Sequence, residues 1–147
     1  MTGDQSKYLV FKLGPESYST PLLTVREVLE YQKPKFMPNM VPYFSGVINV
    51  RGAIVGVVDL RKKLGYEEAT GRKTAMLLCD TQRGPVAAIV DSVDCVQEFS
   101  EKDVETNPPV KLRVNTSYLV GIAKRDQQLV VILDFLKLLT DDQYLAS

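Results

Sequence analysis

Histidine is absent from this sequence of 147 residues, and only two residues are cysteine. Without histidine the chain cannot build a Ser-His-Asp or Cys-His nucleophile arrangement, a histidine metal site or histidine acid–base chemistry. Two cysteines alone cannot form a structural zinc site. Carboxylates and lysines remain, so the composition does not forbid catalysis, but it removes the groups that enzymes use most often.

An excess of charge of either sign is also lacking, because 18 lysine and arginine residues balance 18 aspartate and glutamate residues. A nucleic-acid or membrane-surface partner would favour a basic excess, so the zero net charge argues against both. No apolar run approaches the roughly 20 residues of a membrane helix, and no signal peptide opens the chain. Cys79 and Cys95 are interpreted as small buried apolar residues of a reducing compartment. We therefore expect a cytoplasmic protein.

The stretch GVINVRGAIVGVVDLRKKLG, residues 46–65, has the most informative local pattern. Its two apolar, β-branched runs predict strands, and Arg51 and Gly52 between them predict a two-residue hairpin turn in which the glycine takes a positive φ. Asp59 is placed to cap a short helix, and Gly65 is placed to end it. Both strands are too apolar for one face to lie in water, so we expect this hairpin at the centre of the molecule.

Apolar runs bounded by turn residues predict further strands over residues 8–13, 18–20, 74–79, 85–90 and 91–99, and a last hairpin over residues 118–124 and 129–133. Asp134 is placed to cap a closing helix that fades out by residue 142. Three prolines in residues 34–42 predict an extended covering strand or edge loop. Residues 100–117 form the longest irregular stretch.

Residues 21–30 change period, because apolar residues recur at spacings of three and four, as Leu22, Val25, Val28 and Leu29. This pattern predicts a helix with an apolar stripe. The helix begins either at Thr20 or at a capping box that starts with Thr24. The stripe has two interpretations that stay open: it packs against the neighbouring barrel, or it forms the partly exposed wall of a groove.

Two hairpins of the sequence repeat each other without a gap. Gly46 falls on Gly121 and Asp59 on Asp134, each 75 residues later. A looser match, at a spacing of 68 residues, places Leu9, Tyr18, Leu22, Val25 and Val28 on Leu77, Val86, Val90, Val93 and Val96. We interpret these matches as two similar halves, each with two hairpins and a bridging segment.

The repeat predicts a mainly β fold in a single domain over residues 1–147. Short strands with regular turns indicate a sandwich or small barrels. Roughly residues 15–70 would form a first barrel and roughly residues 71–135 a second, each of about five strands. Neither half could bury enough apolar surface alone, so the two intertwined barrels are expected to share a hydrophobic core. A short C-terminal helix would cover residues 134–142.

Four stretches together resemble the CheW family of chemotaxis coupling proteins, over about residues 8–139. They are YLVFKLGPESYSTPLLTVREVLE, GVINVRGAIVGVVDLRKKLG with its N-x-R-G turn and V-D-L-R exit, PVAAIVDSV, and YLVGIAKRDQQLVVILDFLKLL. The four stretches are specific in combination, although each alone would be weak. The proline that usually follows the N-x-R-G turn is absent, and Gly56 stands in its place.

The resemblance implies a fold of two src-homology-3-like five-stranded β-barrels packed around a common core, with short helices. It implies a non-catalytic adaptor that joins the cytoplasmic tip of chemoreceptors to the regulatory domain of the histidine kinase CheA. No cofactor, metal, nucleic acid or membrane insertion is implied. The kinase's regulatory domain has the same double-barrel shape, so contacts between barrel ends would build rings in a membrane-associated array.

The resemblance also implies partner-binding residues. Receptor binding would take place in the groove between the barrels, with apolar walls from Leu22, Val25, Val28, Val93 and Val96. Glu27 and Arg51 match the family's charged pair beside that groove. The kinase contact can be predicted only at strand edges, near apolar residues such as Ile54 or Met76. The alternative that the wall residues belong to the core stays open.

Two other classes of function remain as alternatives to the adaptor. A small β-barrel that binds a ligand or an oligonucleotide would need a basic stripe with interleaved aromatics. Zero net charge and 8% aromatic residues give that class little support. A hydrolase could use Asp59 and Asp134, but their equivalent cap positions explain both carboxylates without chemistry.

Overall fold

The structure is a computed structural model that describes residues 5–107 and 114–140. The strands are β1 (Gln5–Leu13), β2 (Glu16–Pro21), β3 (Glu27–Glu30), β4 (Phe44–Val50), β5 (Ala53–Asp59), β6 (Ala75–Thr81), β7 (Gly84–Val90), β8 (Ser92–Ser100), β9 (Val104–Glu105), β10 (Leu119–Arg125) and β11 (Gln128–Leu133). The α-helices are α1 (Leu60–Leu64) and α2 (Phe135–Thr140), and single 3-10 turns lie at Leu22–Thr24, Glu101–Asp103 and Thr116–Tyr118. Residues 108–113 of the predicted irregular stretch and residues 141–142 of the predicted closing helix lie outside the described residues.

The strands form two sheets that interleave along the chain. The six-stranded sheet has the order β8-β1-β2-β11-β10-β9, and the five-stranded sheet has the order β3-β6-β7-β5-β4. β2 runs parallel to β11 and β5 runs parallel to β7. The other neighbours in these described sheets are antiparallel. The predicted mainly β fold class is confirmed, and the sheets form the frameworks of the two β subdomains.

The strand order of the sheets confirms the predicted repeat. β1 to β5 of the first half correspond, in order, to β6, β7, β8, β10 and β11 of the second half, and equivalent strands have equivalent neighbours. The register agrees as well, since Val28 faces Leu77 across β3 and β6, and Val96 faces Leu9 across β8 and β1. The two halves therefore follow one pseudo-symmetric plan.

The division into sheets does not follow the predicted boundary between residues 15–70 and residues 71–135. β6 and β7 belong to the five-stranded sheet with β3, β4 and β5, whereas β1 and β2 belong to the six-stranded sheet. The reason is that the chain crosses between the sheets twice, once between β2 and β3 and once between β7 and β8. Each half contributes a hairpin to one sheet and its remaining strands to the other.

The hairpin β4–β5 lies at one edge of its sheet rather than at the predicted centre, but its turn and helix cap have the local structure that the sequence predicts. Arg51 and Gly52 occupy the turn with φ angles of 49° and 90°, and a type I′ turn requires positive φ at both positions. The Asp59 carboxylate caps α1 by accepting a hydrogen bond from the backbone N–H of Arg61 at 3.0 Å. Gly65 ends the helix in the left-handed region, with φ of 81°.

The last hairpin, β10–β11, repeats this geometry 75 residues later. Asp126 and Gln127 occupy its turn with φ angles of 53° and 67°. Asp134 caps α2 as predicted, since its Oδ1 accepts a hydrogen bond from the backbone N–H of Lys137 at 3.2 Å. The equivalence of the two hairpins therefore extends from the strands to the turns and helix caps.

The predicted helix over residues 21–30 is wrong. The 3-10 turn Leu22–Thr24 carries the chain from one sheet to the other, and β3 follows it. The backbone N–H of Arg26 donates to the Leu78 carbonyl at 2.8 Å, which begins the pairing with β6. The spacing of three and four comes from a chain that bends and then extends, so neither predicted helix start is formed.

The apolar residues form one core between the sheets and a separate cluster within each sheet. The shared core includes Phe11, Tyr18, Val58, Leu77, Leu133 and Phe135. The five-stranded sheet encloses Ile48, Val50, Val55, Val57, Met76, Leu78, Ala87 and Ile89. The six-stranded sheet encloses Val10, Phe99, Ala123, Val130 and Ile132. Because the first cluster draws on both sheets and both helices, it confirms the predicted common core.

Lys63 joins the two halves where α1 meets α2. Its Nζ donates to the carbonyl oxygen of Leu138 at 2.6 Å. Leu138 is the residue that corresponds to Lys63 in the repeat. The same Nζ lies 4.6 Å from the ring centroid of Tyr43 and 5.4 Å from that of Tyr118. These tyrosines are equivalent in the repeat, so a single cation contacts the matching aromatic ring of each half.

The two cysteines differ in environment. Cys79 is buried as predicted, and burial, with a further contribution from the charge of Asp80, raises the pKa of its thiol to about 12. Cys95 is exposed, and the prediction that it is buried is wrong. The reason is that β8 is an edge strand, whereas Cys79 lies on β6 between two neighbours.

Candidate functional site: an apolar rim with a charged pair

The predicted charged pair is formed in the structure. The Arg51 guanidinium donates from Nη1 to Glu27 Oε2 at 3.2 Å and from Nη2 to Glu27 Oε1. Glu27 lies on the edge strand β3, rather than on the predicted helix, and Arg51 lies at the tip of β4–β5. The side-chain oxygen of Asn49 accepts a hydrogen bond from the Gly52 N–H at 2.8 Å, which fixes the turn. The pair therefore connects one edge of the five-stranded sheet to the hairpin at its other edge.

The charged pair changes the titration of both of its groups. The hydrogen bond from Arg51 is the main cause that holds the pKa of the Glu27 carboxyl below its usual value, with the charges of Arg51 and Arg26 adding to it. The hydrogen bond to Glu27 raises the pKa of Arg51. Because water and salt screen exposed pairs, this contact orients the side chains more than it stabilises the fold.

Val28 and Val96 lie at equivalent places on the edge strands β3 and β8. Their side chains are 47% and 49% exposed, respectively. Val28 faces Leu77 and Val96 faces Leu9, and both leucines are buried in the shared core. Each valine therefore lies on the core-facing side of its sheet, where apolar surface continues from the shared core into solvent.

The other predicted wall residues are less accessible. Leu22, Val25 and Val93 are half-buried and pack against the shared core. Leu22 and Val25 belong to the crossing between β2 and β3, and Val93 to the start of β8. Three of the five residues therefore fit both interpretations of the stripe. They pack against the core, and part of each side chain remains accessible to a partner. We call the five residues together with Glu27 and Arg51 the groove residues.

The two candidates for a kinase contact have opposite environments. Ile54, beside the β4–β5 turn, is 69% exposed. Met76 is 0% exposed, and its Sδ accepts a hydrogen bond from the Gln32 N–H at 3.4 Å. The prediction that Met76 contributes to a contact surface is wrong, because β6 is an inner strand with β3 and β7 on either side.

A buried ion cluster at Arg61 was not predicted from the sequence. The Arg61 guanidinium lies 3.0 and 3.1 Å from the Asp59 carboxylate oxygens and 3.3 Å from Asp91 Oδ1. Burial lowers the pKa of Arg61, but the hydrogen bonds and charges of both carboxylates outweigh it and the pKa is raised. Asp91 Oδ2 also accepts a hydrogen bond from the Gly14 N–H at 2.7 Å. In the sequence, Arg61 looks like the solvated lysines that follow it.

Two exposed leucines were also missed. Leu23 lies almost fully in solvent within the 3-10 turn, and Leu129 lies exposed on β11. Leu129 is the counterpart of Ile54 in the repeat, so the repeat could have identified it. The exposure of Leu23 could not be predicted from its neighbours, because it lies in an apolar run whose other members are partly buried.

The described residues have no evident site for metal chemistry. Among them, no group of three or more His, Cys, Asp or Glu side chains is arranged to hold a metal ion. None of the helices in residues 5–107 and 114–140 is long and apolar enough to cross a membrane. Asp59 and Asp134, the carboxylates considered for a hydrolase, both cap helices.

Comparison with known proteins identifies the family. The sequence model of the CheW-like domain matches residues 7–143. The chain belongs to the CheW-like family. The chemotaxis protein CheW of Bacillus subtilis (strain 168) is 30% identical to it over 129 residues, which cover 87% of this chain and 83% of that protein. The chemotaxis protein CheW of Klebsiella aerogenes is 27% identical over 138 residues, which cover 93% and 83%.

A solved structure supports the same family. The scaffolding protein TtCheW from Thermoanaerobacter tengcongensis matches this CheW-like chain with a TM-score of 0.82 and 29% identity, over 90% of this chain and 86% of that one. The match agrees with the expected pair of src-homology-3-like β subdomains. As a CheW-like protein, the chain is a scaffold of a chemotaxis signalling system, and these similarities give no support to a ligand-binding or oligonucleotide-binding module.

Proposed function

We propose that this CheW-like protein is a non-catalytic adaptor that couples the cytoplasmic tip of chemoreceptors to the regulatory domain of the histidine kinase CheA. It acts in the cytoplasm, recruited to receptor arrays at the membrane. The observation that carries this proposal is the bidentate Glu27–Arg51 pair, held on the same edge strand as the half-exposed Val28. This combination offers a partner apolar surface and an oriented charge together.

The receptor would bind as a helix laid across the groove residues. Helix-in-groove recognition uses apolar anchors at helical spacing and polar contacts at the rim. Val28 and Val96 would supply accessible apolar contacts, and the half-buried residues the floor between them. Arg51, whose guanidinium is fixed by Glu27, would meet a carboxylate or a carbonyl of the receptor helix.

The kinase would bind at the hairpin tips. Ile54 and its counterpart Leu129 are exposed apolar residues at equivalent places of the two sheets. A partner with the same double-barrel shape would therefore meet similar apolar groups on either subdomain. Stable contacts bury about 800 Å² on each partner, and an adaptor in a switching array can function with less.

Variants of two groove residues test the receptor site. Arg51→Ala removes the charged pair, and Val28→Glu places a charge on the exposed apolar rim. Each is expected to lower the affinity for a receptor fragment by about tenfold, and with it kinase activation in a reconstituted array of receptor, CheA and this protein. Thermal unfolding should change little, because the Arg51 side chain is exposed and the Val28 side chain is half-exposed.

Asp126→Ala is the matched control for Arg51→Ala. It changes the equivalent turn position of the other sheet, where the groove has no predicted charged pair, and is expected to leave the affinity for a receptor fragment unchanged. Full activation with Arg51→Ala and Val28→Glu would contradict the receptor site. An equal loss of receptor affinity with Asp126→Ala would show that receptor binding responds to any change at a hairpin tip and would contradict a specific role for the charged pair.

A further inference from the structure

Residues 33–42, between β3 and β4, form a well-fixed segment that the proposed coupling does not use. Lys35 and Val47 exchange two backbone hydrogen bonds, at 2.8 and 3.0 Å, which hold the segment against β4. Gly46 permits this approach, because a Cβ there would lie 2.0 Å from the Lys35 carbonyl oxygen. Three prolines restrict the backbone further. The segment is therefore preorganised, which lowers the entropic cost of binding a partner.

Large apolar side chains of this segment lie in solvent beside a cleft. Phe36 is 77% exposed, and Met37 is also exposed. The cleft has a volume of about 370 Å³, and its apolar lining includes Tyr31, Phe36, Met37, Met40, Val41 and Phe44. An exposed aromatic side chain on a hydrogen-bonded backbone, beside such a cleft, suits the docking of a bulky apolar side chain from a partner.

The rim of the cleft is positively charged. Four charged residues of the lining form two ion pairs with no net charge, Asp59–Arg61 and Lys62–Glu68. Lys33 also lines the cleft, and Lys35 lies on the same segment. Neither lysine forms an ion pair with any residue in the ranges that the structure describes. Their charges are therefore available to an anionic partner.

The described part of the equivalent segment of the six-stranded sheet, residues 101–107, has the opposite net charge. Glu105 of β9 lies opposite Ile122, much as Lys35 lies opposite Val47, the counterpart of Ile122. This segment carries three carboxylates, Glu101, Asp103 and Glu105, and residues 101–107 include no aromatic residue. The backbone arrangement therefore does not require lysines or an exposed aromatic residue. Those side chains in residues 33–42 can instead contribute to the recognition of a partner.

We infer that residues 33–42 are a docking surface for an extended acidic segment of a partner protein that carries one bulky apolar side chain. The apolar side chain enters the cleft beside Phe36, and carboxylates on either side of it meet Lys33 and Lys35. Nucleic acid fits less well, because binding to a phosphate backbone usually needs a larger set of cations. None of these residues belongs to the groove or to the hairpin tips, so the inference does not rest on the proposed function.

A titration of the isotopically labelled full chain, followed by amide chemical shifts, tests this surface. The probe is a short synthetic peptide with glutamates on both sides of a single central phenylalanine. Shifts are expected at residues 31–47, with an affinity that falls as salt is added. Phe36→Ser, and separately the double change Lys33→Glu with Lys35→Glu, should each weaken binding about tenfold. Both should fold normally, because the altered side chains are exposed.

Matched controls separate this surface from general stickiness. Leu129→Ser removes an exposed apolar side chain elsewhere and should leave peptide affinity unchanged. The same peptide with glutamine in place of glutamate should bind much more weakly. Unchanged affinity with Phe36→Ser, equal binding of the glutamine peptide, or binding to phosphatidylglycerol vesicles without binding to the peptide would each overturn the inference.

Discussion

The two sheets share strand order, register and turn geometry, yet their equivalent surfaces carry different chemistry. In the five-stranded sheet, Arg51 at the hairpin tip holds Glu27 on the edge strand. The counterparts in the six-stranded sheet are Asp126 and Cys95, which cannot form an ion pair. The repeat therefore preserves the features that set the backbone, namely strand order, register and turn geometry. Exposed side chains have diverged and can distinguish one partner surface from the other.

The two crossings between the sheets differ in a complementary way. The first is a 3-10 turn with Leu23 in solvent. The counterpart of Leu23 is Asp91, which accepts hydrogen bonds from the Gly14 N–H and the Arg61 guanidinium. The counterpart of Arg61 is the exposed Leu136. The first crossing is held by Leu22 and Val25, which pack against the shared core, whereas the second is held by a buried ion cluster.

Removing the buried cation should have the largest effect on the molecule. Arg61→Leu gives this position the residue of its counterpart and leaves the carboxylates of Asp59 and Asp91 without their cation. Loss of one member of a buried ion pair costs about 3–5 kcal/mol of unfolding free energy. Denaturant unfolding measures this loss. Leu136→Arg is the control and should change stability by no more than about 0.5 kcal/mol, since the site is exposed. A loss below about 1 kcal/mol for Arg61→Leu would contradict a structural role for the cluster.

The paired glycines of the two hairpins should differ in their tolerance of a side chain. Gly46 has φ of 133°, and an added Cβ would lie 2.0 Å from the Lys35 carbonyl oxygen. Gly121 lacks the left-handed φ, and its Cβ would lie 2.7 Å from a methyl group of Val104 and 2.9 Å from the Glu105 carbonyl oxygen. Gly46→Ala should therefore cost about 3 kcal/mol, through strain and overpacking. Gly121→Ala should cost about 1–2 kcal/mol, through overpacking alone.

The same denaturation experiment compares the two glycine variants directly. Equal losses would indicate that the approach of residues 33–42 to β4 is no closer than that of β9 to β10. A smaller loss for Gly46→Ala than for Gly121→Ala would contradict the arrangement of the segment from which the docking surface is inferred.

The smallest expected effect is on the titration of Glu27. Because Arg51 lowers the pKa of the folded carboxyl, the pair favours the folded state above the ordinary pKa of about 4.5. That contribution disappears as the pH falls through the lowered value. Arg51→Ala should raise the pKa of Glu27, measured by carboxyl chemical shifts, whereas Asp126→Ala should not. Identical titration curves in both variants would show that the pair does not persist in solution.

Features that depend on neighbours in the sequence were predicted well. The Arg51-Gly52 turn, the caps at Asp59 and Asp134 and the end of α1 at Gly65 all follow from local preferences for φ and for capping side chains. The repeat was also readable, because equivalent turns and caps recur at a constant spacing. The Glu27–Arg51 pair came instead from family resemblance, and the structure forms it across two segments that are distant in sequence.

Features that depend on distant neighbours were predicted poorly. The spacing in residues 21–30 suits a helix, but hydrogen bonds from β6 select a bend and a strand instead. Met76 resembles any apolar strand residue, and only the presence of strands on both sides buries it. Arg61 resembles its neighbouring lysines until the fold brings Asp91 to it. In each case the deciding contact comes from another part of the chain.

The sequence alone determined the local plan of this CheW-like protein: hairpins with left-handed turns, capped short helices and two copies of the same arrangement. Tertiary structure alone decided that the copies exchange hairpins between the sheets, which strands become edges, and which charges are buried. The physical reason is that turn and cap energies are set by adjacent residues, whereas strand partners and burial depend on contacts between segments far apart in the chain.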